Sequence, residues 1–84
     1  MAKRVVFSDE ARANIRAIDR ETALRLLIAL ARFLKTDAGN VKQLEGFDPP
    51  RYRLRVGDWR LIFIKPGDDS IEILRVRHRR EAYR

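Results

Sequence analysis

Between residues 51 and 56 the chain alternates without a break, with Tyr52, Leu54 and Val56 set against Arg51, Arg53 and Arg55. A period of two marks a β-strand with one apolar and one cationic face. Gly57-Asp58 then predicts a tight hairpin, although the order Asp-Gly is the stronger signal. Residues 59–64, WRLIFI, are apolar on both faces except at Arg60, as expected of a central strand. KPGDDS forms a second turn, and Ile71, Ile73, Leu74 and Val76 carry a further strand over residues 71–77. The tail HRREAYR fits either a short helical turn or an extended end.

The N-terminal half has a different period. Residues 3–7, KRVVF, read as a short strand, and Ser8 makes a good helix N-cap with Asp9 and Glu10 in the first turn. Ala11, Ile15 and Ile18 recur at helical spacing, which predicts a first helix over residues 9–18. Asp19 offers a second N-cap. Beyond it Leu24, Leu27, Ile28, Ala31 and Leu34 form an apolar stripe, widened by Leu26, Leu30 and Phe33. So broad a stripe predicts a second helix that is largely buried. Residues 41–50, VKQLEGFDPP, show little periodicity and predict an irregular connection with Leu44 or Phe47 tucked inward. The order β-α-α-β-β-β gives an α+β fold, with a helical hairpin covering one side of a mostly antiparallel sheet.

Composition narrows the class. Eighty-four residues make a single domain, 1–84, and an apolar share of 45% supplies one core. The chain has no cysteine, which removes disulfides, cysteine-ligated zinc and thiol catalysis. Its N-terminal apolar run is too short for a signal peptide, and no apolar run is long enough to span a membrane, so a cytoplasmic protein is expected.

Charge changes the picture more. The net charge is +7, and residues 51–84 carry ten basic residues against five acidic ones, whereas residues 1–50 carry nine against seven. Nine of those ten are arginine, whose planar fork suits phosphate and carboxylate. An anionic partner follows: nucleic acid first, an acidic protein second, with plain solubility as the remaining explanation.

Parity puts Arg53 and Arg55 opposite Leu54 and Val56, on the open face of the sheet if the apolar side faces the helices. Arg60, two residues past the turn, is placed to join them. Such a cluster would bind consecutive phosphates, although arginine stems can also simply cover a solvated sheet. Arg75, Arg77, Arg79 and Arg80 surround the only histidine, His78, which could move a proton or merely make a backbone hydrogen bond. Tyr83 could stack on a base, donate its phenol proton or pack on the sheet. Asp58, Asp68 and Asp69 belong to turns, so no two-metal centre is expected, and no phosphate loop or cofactor motif is present. Trp59 with Leu61 and Phe63 reads as core. If the chain is a catalyst, the chemistry consistent with this set is metal-free RNA cleavage, in which the substrate supplies its own 2'-hydroxyl. Arginine would neutralise the phosphorane, but it does not readily give up a proton.

YRLRVGDWRLIF and IEILRVRHRREAYR, preceded by VVFSDEARANIRAI and VKQLEG, together resemble the RelE/ParE superfamily of toxins from bacterial type II toxin–antitoxin modules. The likeness spans essentially the whole chain. It implies a compact sheet with a helical hairpin, and a cognate antitoxin that wraps the toxin and is removed by proteolysis under stress. It also implies that the toxin–antitoxin complex forms higher oligomers. RelE-like members are mRNA interferases that inhibit translation by cutting message in the ribosomal A site. Their site residues carry over to Arg53 and Arg55 on one strand, Arg60 on the next, Arg79 (with Arg80 as the alternative) and Tyr83. RNA contacts are also expected from Arg77 and Arg80. Arginines stand where the best-studied RelE pattern has lysines, which weakens a general base there, and His78 is the candidate to compensate. The alternative is a ParE-like toxin that poisons DNA gyrase without nuclease activity. A non-enzymatic RNA-binding module is the third reading.

Overall fold

The computed structural model describes residues 3–82, with side chains through Arg80. The chain forms β1 (Arg4–Phe7), α1 (Asp9–Ala17), α2 (Arg20–Thr36), β2 (Asn40–Leu44), β3 (Arg51–Val56), β4 (Trp59–Gly67), β5 (Ser70–His78) and the short α3 (Arg79–Ala82). The five strands make one sheet in the order β1-β5-β4-β3-β2. All neighbours are antiparallel except β1 and β5, the first and last strands, which pair in parallel. The α+β architecture with its helical hairpin is as the sequence predicts.

Local chemistry sets the hairpin of helices. Ser8 caps α1 by accepting from the Ala11 N–H at 3.0 Å, and its hydroxyl donates to the Leu74 carbonyl at 2.8 Å. The cap therefore also docks the helix on β5. Asp19 caps α2 through the Thr22 N–H, and this bond holds its carboxyl below the usual 3.8. At the other end Asp37 adopts a left-handed φ of 59° and takes the Lys3 ammonium at 2.8 Å, which lowers its pKa as well.

Two expectations need correction. Residues 40–44, in a stretch expected to be irregular, form edge strand β2, with Val41 opposite Leu54 and Lys42 opposite Arg53. Val41 and Leu44 are three positions apart, so the segment carries no period of its own, and β3 supplies its order. Leu44 is half-buried, while Phe47 is exposed beneath the Arg51 guanidinium, 4.5 Å from the ring centroid.

The second correction concerns α2, which buries Leu26, Leu30 and Phe33 and leaves Leu24, Leu27 and Ile28 exposed at 56%, 40% and 60%. Of the stripe that leads in the sequence, Leu24, Leu27, Ile28 and Ala31 face out, and only Leu34 packs against the core. Two apolar faces lie on this helix, and one sheet can cover only one of them.

The core lies between that buried face and the apolar side of the sheet. Leu54, Leu61 and Val76 stand in register across β3, β4 and β5, each 2% exposed or less. Phe63 is fully buried, stacked on Tyr52 and tilted against Phe33. The β3–β4 turn places Gly57 at φ 59°, while Asp58 keeps a negative φ. Glycine first is the preference of a type II' turn, which explains the order Gly-Asp.

Candidate nucleic-acid interface

Because Leu54, Leu61 and Val76 face the helices, the residues between them face the other way. Their register forms two rows across the sheet. One row runs Asn40, Arg55, Arg60, Arg77, and the other runs Lys42, Arg53, Ile62, Arg75. Adjacent strands lie about 4.8 Å apart, so each row brings like charges into close array. This register puts Arg53, Arg55, Arg60 and Arg77 on one face.

The guanidinium groups of the first row diverge. Arg55 is exposed and its Nε donates to the Gly57 carbonyl at 3.4 Å. Arg60 is only 4% exposed; one terminal nitrogen donates to the carbonyls of Gly57 at 3.2 Å and Trp59 at 3.1 Å. Arg77 turns to Glu10 of α1 at 3.2 Å. Each cation thus has an acceptor, which offsets the repulsion. Arg60 is folded back under the hairpin turn rather than presented to solvent, and its Nε has no hydrogen-bond partner among the described residues.

Arg79 also belongs to this turn. Its N–H donates to the Asp58 carbonyl at 2.6 Å and its guanidinium lies 3.8 Å from the Asp58 carboxylate. Gly57-Asp58 therefore gathers Arg55, Arg60 and Arg79. Arg80 is exposed. Tyr83 lies outside the described residues.

His78 pairs with Trp59 across β4 and β5, and its ring meets the indole edge-on at a centroid distance of 5.2 Å. Trp59 shares the parity of Leu61, so His78 stands on the helix side of the sheet, away from Arg53, Arg55 and Arg77. Its Nδ1 accepts the Arg80 N–H at 3.3 Å. The imidazole lines a pocket of about 370 Å³ with Thr22, Arg25 and Asp58. Among the described residues no three acidic or histidine side chains come together to hold a metal ion, and no helix is long and apolar enough to cross a membrane.

Two members of the charged face escaped notice in the sequence. Glu10, which reads as an ordinary first-turn acid, reaches both Arg75 and Arg77. Lys42 joins the second row through a strand that shows no period. Neither residue has a local signal, since each acquires its neighbours through the fold.

Among solved structures, the chain is similar to the archaeal RelE–RelB complex of Pyrococcus horikoshii, at 25% identity and a TM-score of 0.75, covering 98% of this chain and 100% of that one. The RelB–RelE antitoxin–toxin complex of Methanococcus jannaschii shares the fold at 20% identity and a TM-score of 0.73, over 93% and 94% of the two chains. So does the toxin–antitoxin complex RelBE2 of Mycobacterium tuberculosis, at 21% identity and a TM-score of 0.75, over 93% and 99%. No curated protein matches the chain in sequence. The family model for the ParE toxin of the type II toxin–antitoxin system parDE matches residues 5–83. Carrying the sheet, the helical hairpin and the arginine-bearing strands within that match, the chain belongs to the ParE toxin family of type II toxin–antitoxin systems, within the RelE/ParE superfamily.

Proposed function

We propose that the chain is a RelE-like toxin that cleaves ribosome-bound message in the A site. The observation that carries this reading is the pair of cationic rows on the sheet face that the helices leave open. Arg53 and Arg55 hold successive phosphates of the message, and Arg77 and Arg80 lengthen the track. Arg79, tied to the same turn as Arg55, neutralises charge on the reacting phosphate. Arg60 acts from below as a positioning residue, because it holds the turn that aims Arg55. The 2'-hydroxyl loses its proton and attacks the adjacent phosphorus. The 5'-oxygen then leaves with a proton, giving a 2',3'-cyclic phosphate and a 5'-hydroxyl. Tyr83 is the proton carrier favoured here, since His78 stands on the far side of the sheet.

The partner in this reading is a cognate antitoxin. Leu24, Leu27 and Ile28 form an uncovered apolar ridge, with grooves beside it lined by Arg12 and Arg16 and by Arg25 and Arg32. An amphipathic segment with an acidic flank fits this surface by both burial and charge.

A second reading, inhibition of DNA gyrase without nuclease activity, is favoured by the match to the ParE family and by the position of His78. The test is purified toxin added to programmed ribosomes and, separately, to gyrase with supercoiled DNA. Message cut in the A site, with cutting lost in Arg55→Ala and Tyr83→Phe, supports the first reading. Intact message with blocked gyrase overturns it in favour of the second.

A further inference from the structure

A single carboxylate oxygen serves two arginines at the β5 end of the cationic face. Glu10 Oε2 lies 3.0 Å from Arg75 Nε and 3.2 Å from a terminal nitrogen of Arg77. Arg75 ends one row of the open face and Arg77 ends the other. Glu10 is delivered to this point by a fixed turn, because Ser8 both caps α1 and is bonded to the Leu74 carbonyl. Arg75, Arg77 and Glu10 are all partly exposed, at 49%, 32% and 45% of their side chains. Beside them a pocket of about 210 Å³ is lined by Ser8, Glu10, Arg51, Leu74 and Arg75.

We infer that Glu10 is an internal counter-ion standing in for a ligand phosphate, and that it sets how much of the face a polyanion can use. This rests on the phosphate-binding reading of the face and adds a specificity-determining residue to it. While Glu10 holds Arg75 and Arg77, an incoming strand meets accessible charge at Arg55 and Lys42. It reaches the β5 end only by displacing the carboxylate. A phosphodiester offers the same charge and competes on equal terms at a solvent-exposed site, where such pairs are weak. Weakly held polyanions therefore engage fewer arginines than a strand positioned well enough to displace Glu10.

The experiment measures binding of a short fluorescent oligouridylate across a salt series, using the full chain and Glu10→Gln. The expected result is severalfold tighter binding, with a log K against log salt slope steeper by roughly 0.7 for each additional phosphate neutralised. Glu21→Gln is the charge control, because Glu21 makes a comparable exposed pair with Arg25 on α2, at 3.0 Å. It should not steepen the slope. In an Arg75→Gln/Arg77→Gln background, Glu10→Gln should no longer tighten binding. Melting temperature reports that each variant is folded. Binding by Glu10→Gln that is no tighter than by Glu21→Gln, or weaker than wild type, overturns the inference. If Arg55→Ala still weakens binding in that case, only the role of Glu10 falls. If Arg55→Ala is also without effect, the phosphate-binding reading falls with it.

Discussion

Arg55 and Arg60 stand directly opposite each other across β3 and β4, and both donate to the same carbonyl, that of Gly57. They nevertheless have different environments, since Arg55 is exposed and Arg60 is buried. Their substitutions should separate accordingly. Arg55→Ala should change folding stability by no more than about 0.5 kcal/mol while weakening single-stranded RNA binding roughly tenfold. Arg60→Ala should cost about 1–3 kcal/mol of stability, because it removes a buried side chain and its bond to the Trp59 carbonyl, and leaves the Gly57 carbonyl to Arg55 alone. Urea denaturation beside a binding assay checks both. Equal destabilisation by the two variants would contradict the assigned burial.

The inverted face of α2 gives a sharper contrast within one helix. Leu30→Ala removes a side chain that is 3% exposed and should cost about 2–5 kcal/mol. Ile28→Lys, at 60% exposure, should leave stability within about 0.5 kcal/mol. It should nonetheless abolish capture by the cognate antitoxin in a co-purification assay. Undiminished capture would remove the ridge from the antitoxin interface.

Ser8 joins a helix start to a strand, so its loss should exceed that of an ordinary cap. Ser8→Ala removes the acceptor for Ala11 and the donor to Leu74 together, and about 1–2 kcal/mol is expected. Ser8→Asp, which can still accept but cannot donate, should recover only part of it. Chemical denaturation of the three proteins would show the order.

Acid should weaken the ends of α2. Asp19 and Asp37 both have folded pKa values below their ordinary 3.8, the first through hydrogen bonds from Thr22 and the second through Lys3. A depressed carboxyl binds fewer protons in the folded than in the unfolded state. The stabilisation is therefore fully present above the ordinary value and is lost as pH falls through the folded one. Asp19→Asn/Asp37→Asn should flatten the decline of melting temperature below about pH 4, and an unchanged decline would assign it to other carboxylates.

Much of the fold is legible in the sequence because the strong periods are local. The alternation in residues 51–56, the caps at Ser8 and Asp19, and the glycine turn at 57 each state their structure within a few residues. What depends on a distant partner is not legible. β2 has no period and is ordered by its register with β3. The apolar positions of α2 are plain, but which of its two faces turns inward is decided by the sheet. The same division holds in the cationic face. Parity along one strand places Arg53 and Arg55, whereas the burial of Arg60 and the reach of Glu10 depend on a turn and a helix cap.

The parallel pairing of β1 with β5 also bears on how the toxin is made. The first strand finds its partner in the last, and the Ser8 bond to Leu74 spans 66 positions. At roughly 5–20 residues per second, β1 of a nascent chain waits about 3–13 s for that partner to be synthesised. Until then β5 is missing from between β1 and β4, and Arg75 and Arg77 have not joined the charged face. A chain that stops short of β5 thus lacks one end of both cationic rows. The two cationic rows are therefore among the last features of the described fold to be completed.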